Sequence, residues 1–250
     1  MKIKNALISQ PQPENDKSPY ADIIKKYNLD VCFRKFIKIE RVGAKEFRKK
    51  RIQILDHSAL IITSKQAIDH FFALCEDLRV QIPETMKYFC TSEAIALYLQ
   101  KYVQFRKRKI FFGKSTFNEL LDIIKKQKGE KFLFLCAKNH QKDFPKLLEQ
   151  AKVDHNIASI YQTTPDDLSD VEIDKFHLLV FFSPFGIDSL KHNFPEFEQG
   201  NKIIAAFGEA TATAVEKAGL KLQIKAPTET APSMAMAIDQ YLGAARKKNS

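Results

Sequence analysis

The sequence predicts an α/β protein that contains two similar domains, each with a mostly parallel sheet. Three observations lead to this prediction: short apolar runs alternate with amphipathic helical patterns, several runs are apolar at nearly every position, and one strand–turn–helix motif occurs twice. Nearly continuous apolar strands are typical of parallel sheets, because helices cover both faces of such sheets. A chain of 250 residues, 44% of them hydrophobic, can form two such cores.

The individual elements follow the spacing of apolar residues. An apolar stripe at helical spacing predicts a helix over 65–79. Ser18 and Pro19 are interpreted as the N-cap and first residue of a helix, and Thr116 with Glu119 as a capping box. The runs predicted to be strands cover residues 6–9, 31–39, 59–63, 87–90, 109–112, 131–136, 157–163, 177–182, 202–207 and 221–225.

Two predicted strands, 31–40 and 157–163, differ from the others. No helical pattern lies directly beside them, and a polar, loop-like segment follows each one. We interpret them as a pair of connectors that cross between the two domains.

The repeated motif is visible in “LIITSKQAIDHF” (60–71) and “VFFSPFGIDSLK” (180–191). Both stretches run from the end of a strand through a serine turn into a helix, and a second strand–turn–helix unit follows each. The repeat indicates that the two domains are related. Its aligned pairs are Ser64 with Ser183, Ala67 with Gly186, Asp69 with Asp188 and, in the second unit, Ala94 with Thr211.

These turns lie where ligands bind in open α/β sheets, at the carboxyl ends of strands. The helix N-termini there present free N–H groups that suit anions, and two such edges facing each other would form a cleft. Alternatively, Ser64 and Ser183 only cap their helices, although a capping hydroxyl at such an edge can also contact a ligand. Gly208 is expected in its turn for a positive φ or for close approach of another backbone.

The charge favours an anionic partner. The chain has 40 Lys and Arg against 30 Asp and Glu, a formal net charge of +10, although a lysine-rich solvated surface gives the same balance. The densest basic cluster, “QFRKRK” (104–109), is interpreted as a solvated loop before a strand. Aromatic and basic residues do not interleave as they do in nucleic-acid-binding surfaces, so no nucleic-acid partner is expected.

The cysteines and the apolar runs indicate where the protein works. Cys32, Cys75, Cys90 and Cys136 lie in apolar stretches without metal-ligand spacing, and we interpret them as core thiols in a reducing compartment. No signal peptide is visible and no apolar run approaches the roughly 18 residues of a membrane span. A cytoplasmic protein without a membrane partner is therefore expected.

The repeated turns also carry a resemblance to a known family, the uroporphyrinogen-III synthases. The stretch “FFSPFGIDSLKH” resembles the family's Ser-Pro-x-Gly turn, “IAAFGEATATAVEKAGL” its Gly-x-x-Thr-Ala segment, and “IITSKQAI” its Thr-Ser turn. “SIYQT” is similar to the segment that holds the family's tyrosine, and “APTETAPSMAMAI” resembles its C-terminal element. The resemblance covers nearly the whole chain.

The resemblance implies a fold of two flavodoxin-like α/β domains joined by a two-stranded β-ladder that acts as a hinge. One domain is discontinuous and is expected to contain residues 1–35 and 164–250. The other, inserted domain is expected over residues 40–156, with 31–40 and 157–163 as the hinge strands.

The resemblance also implies a reaction without a cofactor or metal: hydroxymethylbilane loses water and closes to uroporphyrinogen III with ring D inverted. Tyr161 is the candidate proton donor for the departing hydroxyl; the alternative is a tyrosine packed at the hinge with its hydroxyl satisfied locally. We expect a monomer. The residues expected to bind substrate are Thr63, Ser64, Ser183, Pro184, Gly186, Gly208 and Thr211.

The chain departs from the family's pattern at the N-terminal “SQP”, which replaces the usual Thr-Arg-Pro, and at three further residues. Thr91 and Ala94 replace the Gly and Thr of the second turn in the inserted domain, and Ala137 stands where the family commonly has Gly. These departures leave a second hypothesis open, that the chain is a diverged, non-catalytic protein that binds a tetrapyrrole or another polyanion.

Overall fold

A computed structural model describes residues 3–13, 18–114, 116–139 and 143–248. The chain divides into two compact units, one formed by Met1–Lys38 with Thr164–Ser250 and the other by Ile39–Thr163. Both units contain a parallel sheet with helices, so the predicted α/β class is confirmed.

The strands and helices alternate along most of the chain. The strands are β1 (Asn5–Ile8), β2 (Asp30–Phe33), β3 (Ile37–Arg41), β4 (Ala59–Ile62), β5 (Lys87–Cys90), β6 (Ile110–Phe112), β7 (Phe132–Ala137), β8 (His155–Pro165), β9 (Leu178–Phe181), β10 (Ile203–Phe207) and β11 (Ile224–Ala226). The helices are α1 (Ala21–Tyr27), α2 (Ala44–Lys49), α3 (Lys65–Leu78), α4 (Glu93–Tyr98), α5 (Phe117–Ile124), α6 (Asp143–Gln150), α7 (Pro184–Asn193), α8 (Glu209–Lys217) and α9 (Met234–Lys248).

The discontinuous unit has a five-stranded sheet in the order β11-β10-β9-β1-β2, and its neighbouring strands are parallel. A core cluster covers each face of this sheet, one around α1 and α9 and the other around α7 and α8. Because β9 and β10 are adjacent, the turns that follow them lie at the same edge of the sheet.

The second unit has a six-stranded sheet in the order β3-β8-β7-β4-β5-β6. The pairs from β8 to β6 are parallel, so the ends of β4, β5 and β7 lie at one edge. One face is covered by α3 and the other by α5, each with its own buried cluster. The chain passes between the units at the junctions 38/39 and 163/164, within β3 and β8. The hinge role of these strands stays a prediction.

The structure divides one predicted strand, 31–39, into β2 and β3. Residues 34–36 between them are held by the segment that follows β8: Arg34 forms ion pairs with Asp166 and Asp170 at 3.3 and 3.1 Å. The carbonyl of Phe36 accepts hydrogen bonds from Asp166 N and from Ser189 Oγ. The Phe36 carbonyl is thus satisfied outside a strand ladder.

The structure corrects two other predictions and confirms a third. Helix α1 begins at Ala21 with Tyr20 as N-cap, because the Ser18 hydroxyl accepts a bond from Tyr20 N in a turn before the helix. The Thr116 capping box is confirmed. Cys32 is exposed on β2, contrary to the expected core position, whereas the other three cysteines are buried.

Three further features of the described residues bear on the expectations from sequence. No helix is long and apolar enough to cross a membrane. The cluster 104–109 precedes β6 as an irregular segment and turn, as predicted. Burial raises the pKa of the Cys75 and Cys90 thiols to about 12, which keeps both protonated near neutral pH.

Gly208 allows a direct test of the turn after β10. Its φ of +86° and ψ of 152° fall in a region that essentially only glycine adopts, and the space beside it is open. Gly208→Ala should therefore lower the free energy of unfolding by about 1–3 kcal/mol through backbone strain. Urea unfolding followed by circular dichroism measures the change.

Gly43→Ala is the matched control, because Gly43 has a φ of −68° and equally open surroundings. It should change stability by less than about 0.5 kcal/mol, since the lost helix-capping preference and the stiffer unfolded chain offset each other. Equal effects of the two substitutions would contradict the assignment of strain to Gly208.

Candidate active site

Ser64 begins the site at the carboxyl end of β4. It is the N-cap of α3, and its hydroxyl accepts a hydrogen bond from Ala67 N at 3.1 Å. The 14 residues of α3 place the positive end of a helix dipole beside this hydroxyl. Thr63, which precedes Ser64, is half-buried at the same edge. The predicted capping role of Ser64 is confirmed.

Tyr161 lies at the same edge, and it faces α3 because β8 contains a bulge. Cys136 pairs with Ser159, but the next residue of β7, Ala137, pairs with Tyr161, so Ile160 is an extra residue in β8. Adjacent residues of a regular strand face opposite sides of a sheet. Here Ile160 and Tyr161 both pack against the core cluster around α3. The bulge therefore turns the tyrosine ring toward α3.

Three contacts hold Tyr161. Its hydroxyl lies 3.3 Å from Ser64 Oγ, and its ring stacks on that of His70 with centroids 5.1 Å apart and planes at 25°. Its carbonyl accepts a hydrogen bond from Lys138 N at 2.7 Å. The structure thus brings two predicted site residues, Ser64 and Tyr161, into contact, and adds His70, which the sequence analysis did not single out.

The ionisation of His70 is set by its surroundings. Burial lowers the pKa of His70, the neighbouring Asp69 raises it, and Arg41 on β3 lowers it again, with a net shift downward. Arg41 is itself paired with Asp77 at 2.9 Å. The ring that faces Tyr161 is therefore neutral near pH 7.

Asp69 has a structural function in this unit. It accepts hydrogen bonds from the hydroxyls of Tyr98 and Tyr102 at 2.8 and 2.6 Å and lies 3.3 Å from the ammonium of Lys101. Burial raises the pKa of Asp69, but these bonds outweigh it and leave the pKa below its usual value. Its repeat partner, Asp188, is exposed, so the shared Asp does not have a shared function.

The turn after β9 has nearly the same backbone angles as the Ser64 turn but lacks its side-chain hydrogen bond. Ser183 is the N-cap of α7 with φ −153° and ψ 155°, close to the −154° and 155° of Ser64. Its hydroxyl makes no capping hydrogen bond, because Gly186 N bonds to the Ser183 carbonyl at 3.0 Å instead. The predicted side-chain cap at Ser183 is therefore wrong.

Packing explains the residues that follow Ser183. Pro184 occupies the first turn of α7, where a missing N–H has no cost. Gly186 is buried, and a side-chain carbon there would lie 3.2 Å from the Phe181 ring. A larger residue at position 186 would therefore need the Phe181 ring to move by a few tenths of an ångström.

The turn after β10 corrects the alignment of the second repeat unit. Gly208 N bonds to the Ala226 carbonyl at 2.6 Å, and Gly208 has the expected positive φ as the N-cap of α8. The corresponding N-cap of α4 is Ser92, so Ile95 and not Ala94 takes the place of Thr211. Thr211 is buried, with 2% of its surface exposed. Its contact with a substrate carboxylate stays a prediction.

The departures from the family pattern have local structural consequences. Thr91 is buried, and the following Ser92, which takes the place of Gly208, has a φ of −145° and not a positive φ, so the two second turns differ in backbone conformation. Ala137 lies at the bulge opposite Tyr161. In the part of the chain that the structure describes, no three His, Cys, Asp or Glu side chains are grouped to hold a metal ion.

The fold and this cluster define a class of protein: a two-unit α/β protein with a tyrosine, a serine and a neutral histidine at the carboxyl ends of parallel strands. Comparisons with known proteins make the class specific. The family model described as uroporphyrinogen-III synthase HemD matches residues 18–236. The chain therefore belongs to the uroporphyrinogen-III synthase family. The predicted synthase function is confirmed by this membership, which does not favour the non-catalytic alternative.

Solved structures agree on the fold. A uroporphyrinogen-III synthetase from Helicobacter pylori is 18% identical, with 97% of this chain and 100% of that chain covered and a TM-score of 0.57. A mutant uroporphyrinogen III synthase from Thermus thermophilus is 13% identical, with 98% and 99% covered and a TM-score of 0.52. No curated protein sequence matches the chain significantly.

The two serine turns predict different responses to the same substitution. Ser64→Ala removes a side-chain cap and should lower the free energy of unfolding by about 1 kcal/mol. Ser183→Ala removes no capping bond and should change it by less than about 0.5 kcal/mol. Thermal unfolding of both variants provides the comparison. A larger loss for Ser183→Ala would contradict the assigned hydrogen bonds.

His70 predicts a pH dependence of stability. Its pKa is lowered in the folded state, so the unfolded chain binds a proton first as the pH falls through about 6.5. The wild type should therefore lose stability relative to His70→Phe as the pH falls from about 7 to 5. Urea midpoints measured across this range test the difference, and parallel curves would contradict it.

Proposed function

We propose that Tyr161 is the acid that protonates the departing hydroxyl when this enzyme closes hydroxymethylbilane to uroporphyrinogen III. The observation that carries the proposal is the 3.3 Å contact between the Tyr161 hydroxyl and Ser64 Oγ at the N-terminus of α3. A phenol can act as a general acid when it reaches the leaving group and its conjugate base is stabilised.

Ser64 can stabilise that conjugate base. A serine hydroxyl has one proton to donate and two lone pairs to accept with, and Ser64 Oγ already accepts from Ala67 N. Its own proton is therefore available to the Tyr161 oxygen, which leaves the phenol proton for the substrate. The positive end of the α3 dipole stabilises the oxygen further as negative charge develops on it.

Tyr161 alone can give and take back the proton that the proposed reaction requires. The bond between the terminal methylene carbon and its hydroxyl oxygen breaks, and water leaves with the proton of Tyr161. The substituted carbon of ring D attacks the cation and forms a spiro intermediate, which fragments and recombines with ring D inverted. The proton lost at ring closure returns to the Tyr161 oxygen. The enzyme then contributes mainly orientation, since the linear substrate also closes unaided without the inversion.

The turns are proposed to bind the carboxylates of the substrate. Thr63 and Ser64 offer hydroxyls in one unit, and Ser183, Pro184, Gly186, Gly208 and Thr211 form the corresponding turns in the other. The net charge of +10 supports a polyanionic substrate. We also propose that the protein is a monomer and that it works in the cytoplasm. The three buried thiols suit the reducing environment of that compartment.

An isomer assay tests the proposal. Purified protein is supplied with hydroxymethylbilane made in situ, and the oxidised products are separated into isomers I and III. The wild type should give isomer III, and Tyr161→Phe should lower kcat by about 10²–10⁴-fold, the usual contribution of a general acid.

Tyr241→Phe is the matched control, because it removes the hydroxyl of another half-buried tyrosine, on α9. It should retain full activity. Isomer I alone, formed at the rate seen in buffer, would contradict the function, and full turnover by Tyr161→Phe would contradict the assignment of the acid.

A further inference from the structure

We propose that His70 is a positioning residue that holds the phenol of Tyr161 in its reactive orientation. The inference rests on the proposed role of Tyr161 as the acid. It concerns a residue outside the repeated turns, in the second turn of α3.

The geometry gives His70 and Ser64 complementary tasks. A tyrosine side chain has two main torsions, and a hydrogen bond to its hydroxyl restricts the tip of the ring but leaves rotation about the long axis of the ring. The His70 imidazole lies against the face of the ring at 5.1 Å and 25°, which restricts that rotation. Because both contacts come from α3, one helix fixes the tip and the face together.

The stacked arrangement also indicates what His70 does not do. The ring nitrogens of an imidazole lie in its plane, so a stacked histidine turns its face and not its N–H toward the phenol. A proton relay from His70 to the Tyr161 hydroxyl is therefore not supported by this geometry, and the residue acts through contact.

The surroundings favour the neutral stack. Arg41 on β3 opposes a positive charge on His70, while Asp69 on the same helix is engaged by Tyr98, Tyr102 and Lys101. A neutral imidazole presents the same flat surface to Tyr161 across the neutral pH range. A phenyl ring can reproduce that surface, which makes phenylalanine the conservative replacement.

The test is a double-mutant cycle in the isomer assay. His70→Leu should lower kcat by about tenfold to a hundredfold, the cost of a misplaced reacting group, with KM changed less than about twofold. His70→Phe should recover most of the lost kcat because it restores the stack. In the Tyr161→Phe background, His70→Leu should cause no further loss, because the group that it positions is already absent.

Each alternative outcome is distinguishable. Full kcat in His70→Leu, or an equal fractional loss in the Tyr161→Phe background, would overturn the positioning role while leaving Tyr161 as the acid. Full activity of the Tyr161→Phe single variant would instead overturn the acid role itself. If His70→Leu does not fold, His70→Phe and His70→Gln are compared instead. Wild-type kcat in His70→Phe with a lowered kcat in His70→Gln supports the stacking role. The reverse order overturns it.

Discussion

The candidate site depends on one irregularity, the extra residue Ile160 in β8. In a regular strand Tyr161 would face the same side as Ile157, which packs against the core cluster beneath α5. The bulge between the pairs made by Cys136 and Ala137 places it on the side of α3 instead. The contacts to Ser64 and His70 both follow from this change of side.

Helix α3 completes the arrangement. It begins directly after β4, so its N-cap lies at the carboxyl edge of the sheet, and its apolar stripe, including Ile68, Phe71 and Cys75, is buried against that sheet. Packing along this stripe fixes the rotation of the helix and hence the direction of His70. The site is therefore positioned by rigid elements, which hold functional groups more accurately than loops do.

Much of the fold was predictable, because parallel strands and amphipathic helices leave strong hydrophobic periodicities. The Ser64 cap and the candidate Tyr161 were also accessible, one from its place before an apolar stripe and the other from the family resemblance. The bulge was not predictable, since “SIYQT” has the pattern of an ordinary strand and an inserted residue leaves no signal in a single sequence. His70 was missed for the same reason, because its contact with Tyr161 depends on which side of β8 the tyrosine occupies.

The two serine turns show a further limit. Ser64 and Ser183 occupy aligned positions of the repeat and have nearly identical backbone angles, yet only Ser64 caps its helix with its side chain. The third helical N–H bonds to the side-chain hydroxyl in the Ser64 turn and to the backbone carbonyl in the Ser183 turn. The alignment of the two serines did not indicate which acceptor each turn uses.

The proposed mechanism depends on transfer of the Tyr161 proton as the substrate hydroxyl leaves. The most direct measurement replaces Tyr161 with a series of fluorinated tyrosines of increasing acidity and records kcat/KM against pH for each. If Tyr161 is the acid, the alkaline limb of the profile moves to lower pH in step with the acidity of the phenol. Superimposable profiles across the series would contradict it.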